Sequence, residues 1–242
     1  MTITPDHMVY WRWGSLVLNA TIVSTWIVMV LLTAAAVRVT RRLRDGPPLK
    51  AGQNLLESIT SGILDQIRDI TPHAPEQLLP FLGTLFLFVA LSNLLAAVPG
   101  FEAPTGSLST TAALALCVFL AVPVFGISRC GLGRYLKNYI RPNPLMLPFN
   151  ILGELSRTVA LAVRLFGNMM SASIIAAILL SIAPFFFPVI MQLFGLLTGL
   201  VQAYIFAVLA AVYIAAGTEV QERRAADVQP AAPSAKPNKE DS

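Results

Sequence analysis

The sequence predicts an all-α polytopic membrane protein, and three observations carry that prediction. Hydrophobic residues make up 55% of the 242 and charged residues 12%, with a mean hydropathy of +0.68, which leaves too little polar surface for a soluble domain of this length. The apolar residues gather in five runs, near 16–37, 79–98, 108–128, 146–182 and 189–218, and a helix needs roughly 20 such residues to cross hydrocarbon. The basic residues cluster at the ends of these runs rather than along one soluble face. The net charge of +4 and pI near 9.3 therefore report topology and not a nucleic-acid partner.

The first run is too long for a signal-peptide core and carries its arginines after it, so it should remain as an anchor. Behind it, within about 53–70, Leu55, Leu56, Ile59, Ile63, Leu64, Ile67 and Ile70 recur at helical spacing, while Glu57, Asp65, Arg68 and Asp69 fall elsewhere around the wheel. This predicts an amphipathic helix on the cytoplasmic surface; a helix packed against the membrane segments has the same pattern. Basic residues follow the first run (Arg38, Arg41, Arg42, Arg44, Lys50), the third (Arg129, Arg134, Lys137, Arg141) and the last (Arg223, Arg224). The turns at Pro99–Ser107 and Ala183–Pro188 have none. By the positive-inside rule the N-terminus lies outside and the C-terminus in the cytoplasm.

The last two runs are longer than a crossing requires. The 38 residues from Leu145 to Ile182 would extend ~57 Å as a helix, against a hydrocarbon core of about 30 Å. They must tilt, curve or break, and the simplest arrangement is a long, strongly tilted helical hairpin. Pro148 suits a helix start, and Pro184 and Pro188 bracket the turn. Residues 1–224 thus form a single membrane domain, and the tail 225–242, rich in Ala, Pro and charge, should be disordered.

Ordinary catalytic apparatus is missing. The chain has no phosphate-binding GxxxxGK[ST] loop, no HExxH, no GxSxG and no dinucleotide fingerprint. Cys117 and Cys130 lie one in an apolar run and one in a basic loop, where a disulfide is not expected. His7 and His73 stand apart from any ligand cluster, so neither a metal nor another cofactor is expected. The lack of an internal repeat speaks against a transporter built from two related halves.

Arg164 is the residue that asks for a function. It follows the apolar stretch Thr158–Val163, and the next charged residue is Glu219. A central arginine costs about 2.5–3.5 kcal/mol on insertion scales, and it stays charged whatever surrounds it. Arg157, Arg164, Asn168 and Ser171 fall on one helical stripe, with Glu154 nearer the cytoplasmic entrance. Gln202 comes from the facing helix, with Gly195, Thr198 and Gly199 in the turns before it, small enough to admit another helix. Plainer readings exist for some of these: Glu154 and Arg157 as an i, i+3 surface pair, and Gly195 and Gly199 as internal packing. The residues by themselves suit an ion-translocating stator of a rotary motor, a self-standing channel or transporter in which Arg164 binds substrate, or a structural anchor in which Arg164 pairs permanently with an acid.

The segment Glu154-Leu-Ser-Arg-Thr-Val-Ala-Leu-Ala-Val-Arg-Leu-Phe-Gly-Asn-Met169 closely resembles the signature of subunit a of F-type ATP synthases. Val201-Gln-Ala-Tyr-Ile-Phe206, Ser92-Asn-Leu-Leu-Ala-Ala-Val-Pro99 with Pro104-Thr105, and Asn19-Ala-Thr-Ile-Val-Ser-Thr-Trp26 support the likeness, which covers nearly all but the termini. The resemblance implies that Arg164 faces the ion-carrying carboxylates of a rotating c-ring, with Asn168 and Gln202 at the same interface. It implies two offset half-channels for protons or sodium, with ATP chemistry elsewhere. It implies as partners the c-ring, peripheral-stalk b-type subunits and the lipid bilayer, and no nucleic acid. Many relatives carry acidic or histidine groups at the positions of Ser173, Gly195 and Ser107, and Glu at that of Asn150. The outer path here is then expected to rest on Asn93, Ser107, Ser173 and Gln202, with Asn150, Glu154, Arg157, Ser171 and Thr198 as further candidate lining. Fewer protonatable groups suit a hydrated cation such as sodium as well as a proton. With no transit peptide and arginine-rich inner loops, the expected location is a bacterial inner membrane.

Overall fold

A bundle of long helices makes up nearly all of the described residues. The computed structural model describes residues 9–13, 16–41, 51–70, 75–98, 101, 103–133, 146–182 and 187–226. The helices are α1 (Ala20–Thr40), α2 (Ala51–Ile70), α3 (Pro75–Leu95), α4 (Leu108–Cys130), α5 (Met146–Ile182) and α6 (Phe187–Ala226), with a 3₁₀ turn at Pro104–Gly106 ahead of α4. All but α2 contain a segment long and apolar enough to span a bilayer. Ahead of α1, Val9–Trp13 and Leu16–Asn19 pair as two short antiparallel strands, β1 and β2, with Trp13 opposite Leu16. The tail from residue 227, the basic loop from residue 134 to 145 and the turn at 183–186 lie outside the described residues.

Length follows from composition. α5 and α6 run unbroken for 37 and 40 residues, roughly 55 and 60 Å at 1.5 Å per residue. A proline in the body of a helix frees one carbonyl, and Pro80 and Pro123 do so in α3 and α4. Hydroxyl groups in the apolar segments mostly satisfy themselves within their own helix. Ser24, Thr25, Thr33, Thr84, Ser92, Thr158 and Ser173 each donate to the carbonyl four residues back. That is the expected resting place for a hydroxyl with no water to bind.

The core lies where α3, α4 and α6 meet, built from Leu82, Leu85, Val89, Ala115, Val118, Ala203, Phe206, Ala210 and Ile214, with Leu161 and Leu165 of α5 closing one side. α6 makes its most extensive contact with α3, and α5 with α4; α5 and α6 touch each other less than either of those pairs. Leu161, Ala162 and Leu165 are the only buried residues in the span Pro148–Ser181. α5 therefore presents most of its circumference outward. In α2, Ile67 is buried and Ile63 and Ile70 pack on the core, while Glu57, Asp65, Arg68 and Asp69 are exposed. Tyr204 of α6 donates its hydroxyl to Gln66 Oε1 at 2.6 Å, which ties α2 to the bundle.

Candidate functional site

The polar stripe of α5 lies at the border of its packing face. Arg164 sits roughly 60° round the helix from buried Leu161 and roughly 100° from buried Leu165, at the helical advance of about 100° per residue, and it is exposed. Among the described residues, the one ion pair joins Arg68 to Asp65 at 3.5 Å, so Arg164 has no acidic partner there. One turn further on, half-buried Asn168 reaches back into the bundle, and its Nδ2 donates to Gln202 Oε1 at 3.4 Å. Gln202 is buried, and its Nε2 finds no hydrogen-bond partner among the described residues. Desolvating an amide N–H without a partner is costly, so this donor stands out against the locally satisfied hydroxyls around it.

A cavity of about 330 Å³ begins at Asn168 and runs between α3, α5 and α6. Asn93, Asn168, Ser173, Gly195 and Thr198 line it, together with Gln192 and an apolar wall of Ala96, Ala97, Met169, Ala172, Ala176, Ala177, Leu180, Met191 and Leu196. Amides, hydroxyls and apolar groups make up that wall; no residue on it is titratable. Gln192 donates from Nε2 to the Ala97 carbonyl at the end of α3. Thr198 returns its hydroxyl to the Phe194 and Gly195 carbonyls at 3.0 and 3.1 Å.

The other expected residues are distributed along α5 and near α4. Ser107 is fully buried just ahead of α4, with its hydroxyl 2.7 Å from that of Ser109, and it is not part of the cavity wall. Ser171 is exposed on the Arg164 side, and Ser173 donates to the Met169 carbonyl at 3.0 Å. Asn150 and Glu154 are half-exposed on the stretch of α5 before Arg157. Arg157 forms no ion pair with Glu154 among the described residues; its guanidinium instead lies over the Tyr213 ring of α6, 5.8 Å from the centroid. A cation at that distance is attracted by the negative face of the ring.

The two small residues of the Gly195/Gly199 pair behave differently. A Cβ on Gly199 would lie 2.7 Å from the Asn93 Cβ, whereas one on Gly195 would meet nothing within 4 Å. The close approach is therefore internal, between α3 and α6.

Comparison with known proteins places this architecture. Residues 22–215 match the family profile of the ATP synthase A chain. The chain belongs to the ATP synthase A chain family. It is 57% identical over 222 residues to the ATP synthase subunit a 2 of Acaryochloris marina, covering 92% of this chain and 95% of that protein. The ATP synthase subunit a of Albidiferax ferrireducens is 57% identical over 218 residues, covering 90% and 94%. The ATP synthase subunit a 1 of Chlorobaculum parvum is 56% identical over 223 residues, covering 92% and 99%.

Three contacts of this family member were not anticipated from the sequence. Thr105 donates its hydroxyl to Asn93 Oδ1, Tyr213 receives Arg157, and Gln192 holds the end of α3. Nothing local singles out Thr105, a turn residue, or Tyr213, an aromatic in an apolar helix. Gln192 alone carried a signal, as an amide near the start of the last apolar run.

Proposed function

We propose that this chain is the ion-translocating stator subunit in the membrane sector of a rotary F-type ATP synthase. The single observation that carries the reading is Arg164: an exposed cation with no ion-pair partner among the described residues, on a helix that leaves most of its surface uncovered. A fixed charge so placed needs a counter-charge from outside the chain, and a ring of carboxylate-bearing subunits provides one that is renewed with each step. A carboxylate within about 4–6 Å of a cation has its pKa lowered by roughly 1–3 units. Each ring carboxylate would release its ion on reaching Arg164, and Arg164 would stop ions from crossing directly between two offset half-channels.

The cavity that reaches Asn168 from the far side is the outer half-channel in this reading, and the N–H of Gln202, which Asn168 holds by its hydrogen bond, is a donor for an arriving acceptor. Asn150, Glu154 and Arg157 mark the inner side. Ions then travel round with the ring, and each charge moved contributes about 2.3 kcal/mol per 100 mV to rotation. The chain performs no bond chemistry; ATP is made or split in the soluble sector. The c-ring, b-type stalk subunits and the bilayer are its partners, and a bacterial inner membrane is its location, N-terminus outside.

ATP-driven ion uptake into inverted vesicles containing the assembled complex tests this. Native vesicles should accumulate protons or sodium, and Arg164→Ala vesicles of equal complex content should not. Equal uptake by both would overturn the stator role, and uptake by the purified chain without partners would favour a self-standing channel.

A further inference from the structure

We propose that Asn93 and Thr105 are positioning residues for ion translocation, which hold α6 in the rotational setting that keeps Gln202 within reach of Asn168. Asn93 Nδ2 donates to the Gly199 carbonyl at 2.8 Å, and Thr105 Oγ1 donates to Asn93 Oδ1 at 2.9 Å. Asn93 is 4% exposed and Thr105 fully buried. The bond to Gly199 also requires the glycine, since the Asn93 Cβ occupies the space a Cβ at 199 would take. Among the hydroxyls and amides of the apolar segments, this is a cross-element clasp where most others bond within their own helix.

Its position gives it leverage. Gly199 lies three residues before Gln202, so a rotation or slide of α6 at Gly199 is carried to Gln202 within one turn. The 3₁₀ turn that bears Thr105 abuts α5 as well as α1, α3 and α4. α5 packs more extensively on α4 than on α6, and α6 more extensively on α3 and α4 than on α5, so α4 and this turn share in setting their spacing. The Asn168–Gln202 bond, at 3.4 Å, is near the outer limit of a useful hydrogen bond, so a small displacement of α6 breaks it. Asn93 also lines the cavity, but its carbonyl oxygen and an N–H are engaged by the clasp, which makes it a fixed wall rather than a relay.

The inference rests on the stator reading, and one experiment separates the two. Inverted vesicles with the assembled complex are assayed for ions taken up per ATP hydrolysed in native, Arg164→Ala, Thr105→Val, Thr105→Ser, Asn93→Leu and Thr105→Val/Asn93→Leu forms. Thr105→Val keeps shape but loses the donor, and should lower the ratio roughly tenfold, as misplacement of a distant group commonly does. Thr105→Ser restores the hydroxyl and should recover most of it. The double variant should be no worse than Asn93→Leu alone, since both remove one clasp. A native ratio in Thr105→Val overturns the proposal, as does a fall in complex content with an unchanged ratio in the complexes that remain. If Thr105→Val does not assemble, Thr105→Ala against Thr105→Ser gives the same comparison. Loss of uptake in Arg164→Ala with native clasp variants sinks this inference alone; native uptake in Arg164→Ala sinks the stator reading.

Discussion

Arg157 and Arg164 sit two turns apart on one stripe, yet their surroundings differ: the first rests on an aromatic ring and the second meets no acidic partner among the described residues. Tyr213→Leu should therefore loosen Arg157, at a cost of about 0.5–1 kcal/mol for an exposed cation–π contact. Thermal melting of the complex should show a small decrease, with ion uptake largely retained. Gln202→Leu should do the opposite, keeping the packed volume while removing Asn168's partner, and uptake per ATP should fall well below native at matched complex content. Arg164, Asn168 and Gln202 were legible in the sequence because a charge or amide is conspicuous inside an apolar run. Thr105 and Tyr213 were not, because what matters there is the partner across the bundle, and sequence spacing reports only the face a residue lies on.

At the scale of elements, the seam between α3 and α6 is held by backbone proximity at Gly199 and by amide side chains at Asn93 and Gln192. Gly199→Ala forces two stiff Cβ atoms together, and overpacking of this kind costs typically 1–3 kcal/mol. Gly195→Ala enters open space and should leave complex yield and melting temperature near native. Comparing the two by yield of assembled complex checks that the seam lies where the structure puts it. The spanning helices were readable from run length and hydropathy alone. The identity of the helix facing the small residues was not readable, since a Gly-x-x-x-Gly spacing marks a surface that can be approached without saying by what. The strands ahead of α1 were likewise hidden, because Leu16–Asn19 continues the apolar run of the helix without a break in composition.

Taken whole, the described residues include five segments able to cross a bilayer, and an odd number of crossings puts the two ends on opposite sides. In a Cys117→Ser, Cys130→Ser background, single cysteines near each terminus should react with an impermeant thiol reagent from opposite faces of sealed vesicles, the C-terminal one from the cytoplasmic face. Labelling of both from one face would refute the topology. The sparse burial of α5 has one more outcome, in the life history of the protein. On the stator reading, a newly made copy would hold Arg164 in lipid without its ring counter-charge, at the insertion cost of about 2.5–3.5 kcal/mol, until a ring is present. Biogenesis should accordingly have an order: rings first, this chain afterwards, with copies made in excess of rings turned over quickly by the cell.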